Sequence, residues 1–342
     1  MNLTVEPRSY YFRTPMPMSF GTLESRDVLL VAVTDEDGCT GYGEAAPLEP
    51  YDGVSLAVVA DALQAYERVL KRTTGMAPGD RLDALRAAAD VPQALAALDM
   101  AFWDRRGKRD GVPVASLLSG NAAARVPVNA TLGALDRGGA AAAASAAREA
   151  GFGCVKVKVG IGDDAGRVAA VRAAAGPEMV LRLDANGAWT PNEAVRAIAS
   201  LDAAGLELVE EPVHGVENLR AVRERVPVRI AMDETASRPG ALLSRAADAI
   251  CLKVAASGGI SSLLVDAVAV RTTGADVYLG STFDGPLGIA AAVHAAAALS
   301  PLPPCGLATL DLFEGFEDVL PVRDGAIDVP EAPGLGVEPP PA

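Results

Sequence analysis

Ionisable residues recur where apolar runs of this chain end. Lys156 and Lys158 alternate with valine in Val155–Val159, Asp184 closes Leu181-Arg182-Leu183, and Glu210 closes a run that begins at Leu206. Asp233 follows Arg229-Ile230-Ala231-Met232, and Lys253 follows Ile250-Cys251-Leu252. The steps from 158 to 184, 184 to 210, 210 to 233 and 233 to 253 are 26, 26, 23 and 20 residues. A step of that size holds one strand, one helix and their loops. In a closed parallel barrel such strand ends gather at one mouth, so three carboxylates stand between two lysine stations around one pocket. Three anions brought together repel one another unless a cation neutralises them. Ligation by oxygen alone suits Mg²⁺, with Mn²⁺ as the alternative, and argues against zinc. Residues two apart on a strand share a face, so Lys156 and Lys158 point the same way, and their like charges favour a neutral amine on one of them. A neutral amine is a base able to take a proton from carbon. A divalent cation on a substrate carboxylate, with an amine on either side, specifies removal of the proton α to that carboxylate through an enolate.

The neighbours of these residues refine the pattern. Glu211 follows Glu210, and adjacent strand residues face opposite ways, so Glu210 is assigned to the mouth and Glu211 to the outside. Asn186, two residues past Asp184, leans to the same side as a supporting ligand or substrate contact. Glu234 adjoins Asp233 as an alternate ligand or a lysine partner. A Schiff-base reading of Lys158 or Lys253 leaves the three carboxylates unexplained.

The elements that must position these groups follow from the rest of the chain. Its 342 residues are 50% hydrophobic and 22% charged, which suits one large domain or two unequal ones. The net charge of −14 leaves no basic footprint for nucleic acid. No apolar run reaches the length of a membrane span, and residues 1–7 lack the pattern of a secretory signal. The four cysteines, Cys39, Cys154, Cys251 and Cys305, have no CxxC spacing and read as free buried thiols in a reduced compartment, so a cytoplasmic location is expected. Residues 1–55 read as β, with a strand over 28–34 and another over 39–44. Residues 55–90 read as helical with a break near 73–79, and Ala94–Asp104 reads as an amphipathic helix. From residue 126 onward, strands near 126–131, 154–159, 179–184, 206–210, 228–232, 249–253, 276–280 and 305–307 alternate with helices. Thr190, Pro191 and Glu193 form a helix start with a capping box. Eight such segments predict a (β/α) barrel behind a smaller N-terminal α+β domain. The proline-rich 331–342 is expected to be extended.

At these residues the chain resembles the enolase superfamily, in its muconate-lactonizing subgroup. Lys156-Val157-Lys158, Asp184–Trp189 (DANGAW), Glu210-Glu211-Pro212, Asp233-Glu234-Thr235 and Lys253–Gly259 (KVAASGG) carry the likeness in order. Gly41–Pro47 (GYGEAAP), Ala101–Asp104 (AFWD) and Pro113–Leu118 (PVASLL) carry it in the N-terminal third. The resemblance implies a modified (β/α)8 barrel of the β7α7β type, with an N-terminal α+β capping domain completed by the C-terminal tail. The expected boundaries are 1–120 for the cap and linking helices, 121–310 for the barrel and 311–342 for the returning segment. It implies Mg²⁺ on Asp184, Glu210 and Asp233, Lys158 and Lys253 as catalytic lysines on opposite faces, and Lys156 as their helper. His214 and His294 do not end the strand where a racemase His–Asp dyad would stand. Ser281–Gly288 (STFDGPLG), Cys305–Thr309 (CGLAT) and Pro333–Val337 (PGLGV) resemble o-succinylbenzoate synthases, and Asp284 lacks the second aspartate of the dipeptide epimerases. The resemblance thus points first to o-succinylbenzoate synthase-like dehydration. Its alternative is an amino-acid or dipeptide racemase-epimerase, or a muconate-type cycloisomerase, using the same lysines. The partner is a small-molecule carboxylate, contacted by Asn186, Ser281, Asp284 and Phe20, the last in a loop over 16–26 that closes on the site. Neither nucleic acid nor membrane is expected as a partner, and assembly into a homo-oligomer stays open.

Overall fold

The computed structural model describes residues 1–18, 21–73 and 75–341. Phe20, expected to contact substrate, lies outside the described residues. The N-terminal part opens with a three-stranded antiparallel sheet, β1 (Asn2–Met18), β2 (Gly21–Thr34) and β3 (Thr40–Ala45), in that order. The turn between β2 and β3 is closed by the Gly38 N–H donating to Asp35 O, with Gly38 at φ 78°. Four helices follow: α1 (Glu49–Asp52), α2 (Leu56–Leu70), α3 (Pro78–Ala88) and α4 (Pro92–Asp110). A Cβ at Gly41 or Gly43 would strike the backbone oxygen of Ala101 or Ala97. These two glycines therefore let the backbone of α4 lie directly on β3, and Leu95, Leu98 and Phe102 fill the core between sheet and helices with Val31, Val33 and Leu63.

After α5 (Val114–Leu118) the chain alternates strand and helix. β5 (Ala130–Leu132), β6 (Cys154–Lys158), β7 (Val180–Asp184), β8 (Leu206–Glu210), β9 (Arg229–Met232), β10 (Ala249–Leu252) and β11 (Asp276–Leu279) form one seven-stranded parallel sheet in sequential order. Their crossovers include α6 (Arg137–Glu149), α7 (Asp164–Ala175), α8 (Pro191–Leu201), α9 (Val216–Arg223), α10 (Val254–Ser257) and α11 (Ile260–Thr272), with α12 (Pro286–Leu299) after the last strand. Thr190 and Glu193 form the expected capping box: the Thr190 N–H donates to Glu193 Oε2 at 2.9 Å and the Glu193 N–H to Thr190 Oγ1 at 3.4 Å.

Two expected strands differ from the sequence reading. The segment near 126–131 splits: Arg125–Pro127 is β4, antiparallel to a C-terminal strand, and only Ala130–Leu132 joins the barrel sheet. The segment near 305–307 is not a full strand. Cys305 bridges Val128 and Gly306 bridges Gly280, so two residues span the gap between the first and last barrel strands. Pro127, Pro303 and Pro304 have no N–H to give to a ladder, which keeps both segments short. The C-terminal strands β12 (Val322–Arg323) and β13 (Ala326–Asp328) were not foreseen; they are only two and three residues long.

The last segment returns to the N-terminal part. Phe313 stacks on Phe12 with ring centroids 4.4 Å apart, and the Leu335 N–H donates to Asp104 Oδ1 at 2.8 Å. His294, wholly buried in α12, accepts the Ala115 N–H at 3.1 Å and donates to Leu335 O at 3.0 Å. Burial lowers its imidazole to about 4, so it serves as a neutral structural tie. All four cysteines are free, and three are buried. No helix among the described residues is long and apolar enough to cross a membrane.

The N-terminal sheet is locked to the barrel by a buried carboxylate. Glu44, on β3, accepts the Gly285 N–H at 2.6 Å and the Tyr10 O–H at 3.1 Å. A Cβ at Gly285 would strike both Tyr10 and Glu44, so glycine there is what lets the carboxylate reach the first turn of α12. Desolvation first, and the nearby Asp284 second, push the Glu44 carboxyl up to about 8 from 4.5. The folded state therefore holds a proton that the unfolded chain releases, and the associated stability is full below about 4.5 and lost as pH rises through about 8. Glu44→Gln keeps an acceptor for Gly285 and removes the titration. The Tm of E44Q minus that of the wild type is expected to grow more positive from about pH 5 to about pH 9. Thermal melts across that range giving a constant difference would contradict this.

Candidate active site

The C-terminal ends of β6 to β10 converge as their register requires: Lys158 is paired with Asp184, and Asp184 with Glu210, across adjacent parallel strands. Lys158 Nζ donates to Asp184 Oδ2 and to Asn186 Oδ1, each at 2.7 Å. Lys156 Nζ lies 3.0 Å from Asp184 Oδ2 and 2.9 Å from Glu210 Oε1. Lys253 Nζ donates to Asp233 Oδ1 and, at 2.7 Å, to the hydroxyl of Tyr51, which lies 3.2 Å from Asp233 Oδ2. Asn186, at φ 43°, donates through Nδ2 to Glu234 Oε1 at 2.8 Å. The Asp184, Glu210 and Asp233 carboxylates are buried, at 1, 0 and 9% exposure.

The two acids of Glu210-Glu211 separate as expected. Glu210 faces the barrel interior, while Glu211 accepts the N–H groups of Asp233 at 2.9 Å and Thr235 at 3.2 Å, tying β8 to the end of β9. His214 is partly exposed and its Nδ1 sits 3.1 Å from Glu211 Oε1. Glu234 partners Asn186 rather than a lysine. Ser281 pairs with Thr309 at 3.3 Å. Asp284 is buried at 3% exposure and accepts the Thr282 hydroxyl at 3.3 Å, close to Glu44 and Arg26 at the junction with the N-terminal sheet.

Like charge on Lys156 and Lys158 is expected to favour a neutral amine on one of them, and Lys156 is not that one. Burial does act to lower Lys156, but the Asp184 and Glu210 carboxylates outweigh it and hold the ammonium well above the ordinary lysine value. Burial likewise acts to raise Asp184, and the two ammoniums hold it below the usual carboxylate range instead. Opposite charge at about 3 Å dominates, because a Coulomb pair strengthens as solvent is removed. The lysines also sit between the acids. Oxygens of Glu210 and Asp233 approach one another and Cys251 Sγ within 4.8 Å, whereas Asp184 is drawn toward Lys156 and Lys158 and lies outside that group.

The donor set fits a hard divalent cation. Four carboxylates, those of Asp184, Glu210, Asp233 and Glu234, face three ammoniums. Glu234 Oε2 is buried without a hydrogen-bond partner among the described residues. Desolvation first, and then the Asp233 and Asp184 charges, push the Glu234 carboxyl up to about 8. Two tyrosines escaped the sequence reading. Tyr51, on α1, is 202 residues from Lys253 and gave no signal. Tyr278, which donates to Glu210 Oε2 at 2.7 Å, could have been found from its place on β11, two residues before the Gly280-Ser281-Thr282 turn.

Acids and lysines at the ends of consecutive strands of a parallel barrel sheet, joined to an antiparallel N-terminal sheet, define a class of barrel proteins with an acid–base mouth. Residues 2–119 match the family model for the mandelate racemase/muconate lactonizing enzyme N-terminal domain, and residues 139–342 match that for the enolase C-terminal domain-like family. The chain belongs to the enolase superfamily, in the mandelate racemase/muconate lactonizing enzyme subgroup. It is 33% identical to a hydrophobic dipeptide epimerase of Enterococcus faecalis, over 94% of each chain. It is 41% identical to an o-succinylbenzoate synthase of Thermobifida fusca, over 60% of this chain and 68% of that one. Among solved structures it resembles a dipeptide epimerase from Enterococcus faecalis complexed with Mg and the dipeptide L-Leu-L-Tyr, with a TM-score of 0.89, 29% identity and 98% of each chain covered. These relatives support an isomerase or lyase.

Tyr51 bridges Lys253 and Asp233 from the N-terminal part of the chain. Tyr51→Phe strips the hydroxyl and leaves a buried ion pair short of one partner. Unfolding in urea is expected to show a loss of about 1–3 kcal/mol; an unchanged midpoint would mean the bridge contributes nothing.

Proposed function

We propose that this enzyme removes the proton α to a substrate carboxylate, with Mg²⁺ held by Asp184, Glu210 and Asp233, and that its reaction is an o-succinylbenzoate synthase-like dehydration. When bound, the cation would supply the Lewis acidity that stabilises the enolate. The observation that carries the reading is the asymmetry of the two outer lysines. They flank the three acid-bearing strands β7, β8 and β9 from either side in the sheet order. The Lys158 side chain is 28% exposed and that of Lys253 only 8%. Lys253 is pinned by Asp233 and Tyr51. Burial acts to lower it, but Asp233 outweighs burial and holds it well above the ordinary lysine value.

That arrangement suits one base and one fixed positive charge. Lys158 is the group placed to reach a substrate carbon and take its proton. Lys253 stays protonated on the opposite side and offers charge to the developing enolate. Lys156 neutralises Asp184 and Glu210, and Asn186 orients Lys158. Lys158 then gives the abstracted proton to the departing β-hydroxyl, which leaves as water and completes the dehydration. The 41% identity to a synthase of this reaction supports the reading, as does the surround of Asp284. Buried beside Glu44, it is followed by Gly285 and Pro286 and offers no second aspartate to hold a substrate ammonium.

A second reading is supported by the near full-length match to a dipeptide epimerase. In it Lys253 returns a proton to the face opposite Lys158, which its protonated state allows. One pair of assays separates the two. The first incubates enzyme and Mg²⁺ with the hydroxycyclohexadiene carboxylate that yields o-succinylbenzoate on losing water, and follows the aromatic absorbance. The second incubates dipeptides and N-acyl amino acids in heavy water and follows deuterium at the α-carbon. Aromatic product with no α-exchange is expected; exchange without aromatic product would replace dehydration by epimerisation.

Lys158→Ala is expected to lower kcat about 10²–10⁴-fold, the usual worth of a positioned base. Treatment with EDTA is expected to abolish turnover, and added Mg²⁺ to restore it. Activity that survives either treatment would remove the metal-assisted enolate from consideration.

A further inference from the structure

We propose that Tyr278 is a positioning residue that fixes the Glu210 carboxylate from beneath, holding it in the orientation from which it would ligate the metal. The inference rests on the reading of Glu210 as a metal ligand. β8 and β11 are not neighbours in the sheet; β9 and β10 lie between them. The 2.7 Å hydrogen bond from the Tyr278 hydroxyl to Glu210 Oε2 therefore crosses the barrel interior. Both residues are sealed from solvent, at 2% and 0% exposure. Glu210 Oε1 turns toward Lys156 at 2.9 Å, so the two carboxylate oxygens serve opposite sides.

The phenol is itself held in place. Arg182, on β7 and wholly buried, lays its guanidinium over the Tyr278 ring, 5.0 Å from the centroid. Arg182 Nε donates to Glu207 Oε2 at 2.5 Å, and Nη1 donates to Pro304 O at 2.6 Å, in the segment that spans the gap between first and last strands. The ring is thus clamped between a fixed cation below and a fixed carboxylate above. A carboxylate anchored at one oxygen loses rotational freedom before any ligand arrives. Hydrogen bonds of this kind to ligating groups typically set metal affinity by about 10-fold to 100-fold.

The test is metal affinity, measured by calorimetry with Mg²⁺ and by electron paramagnetic resonance with Mn²⁺ on the full chain. Glu210→Gln comes first: if its affinity matches the wild type, Glu210 is not a ligand and the underlying reading falls. With that affinity lost, Tyr278→Phe, which keeps the ring and its stacking on Arg182, is expected to weaken binding about 10-fold to 100-fold. Tyr278→4-aminophenylalanine restores a donor at the same place and is expected to recover most of the affinity, whether or not Tyr278→Phe accumulates as folded protein. Glu207→Gln weakens the Arg182 anchor but leaves the Tyr278 hydroxyl on Glu210, and is expected to lose less metal affinity than Tyr278→Phe. Unchanged affinity in Y278F, no recovery with the amino analogue, or an equal loss in E207Q would each overturn the positioning role.

Discussion

The barrel mouth depends on charges that neutralise one another out of water. Asp184 and Glu210 are shared by Lys156, Asp184 also takes Lys158, and Asp233 takes Lys253. Carboxylates this deeply buried carry a desolvation cost of several kcal/mol per ion unless partners approach closely. The parallel register supplies that approach, because it sets Lys158 level with Asp184 and Asp184 level with Glu210. Removing Lys156, Asp184, Asp233 or Lys253 leaves another charge without an oppositely charged partner, a loss typically of about 3–5 kcal/mol for a buried pair. The chain therefore holds these groups ordered before a ligand binds, at the expense of stability that an apolar mouth would not lose.

That order extends beyond the barrel. Tyr51 reaches Lys253 and Asp233 from the first short helix of the N-terminal part, and Glu44 reaches the first turn of α12 from its sheet. Arg26, buried on β2, donates to the backbone oxygens of Ala46 and Pro47 and so holds the strand exit that leads to Tyr51. From below, Arg182 and Tyr278 brace Glu210. The carboxylate cluster is thus supported on two sides by elements far apart in sequence. Its geometry is a property of the junction between the two parts rather than of the strand ends alone.

The sequence was most legible where one residue type had one physical reason to stand at a strand end. Charges after β-branched runs, at repeat spacing, located Lys156, Lys158, Asp184, Glu210, Asp233 and Lys253 without structural help. The Thr190–Glu193 box was readable because both partners lie within one turn. What stayed hidden was long-range or small. Tyr51 and Lys253 meet across 202 residues, and no local pattern encodes that. The first and last barrel segments were overread because prolines cut hydrogen bonding in segments whose apolar content still looked like strand. The charge state of Lys156 stayed open for a related reason: spacing revealed its like-charged neighbour on the same strand, while the two acids that hold it charged come from the next two strands.

The same frame can serve more than one reaction, and the difference lies in how freely each lysine moves. Epimerisation asks both amines to exchange protons with carbon, so each must gain and lose its proton on the catalytic cycle. Dehydration asks this of one amine and asks the other only to remain charged. Lys158 is held by a carboxylate and a neutral amide at the more open edge of the mouth; Lys253 is held by a carboxylate and a phenol beneath the N-terminal part. Loosening the Tyr51 contact would free Lys253 at the loss of one hydrogen bond to Asp233, leaving Asp184 and Glu210 untouched. A change of reaction in such a barrel can thus be made from the capping side, at a residue that lies on no barrel strand.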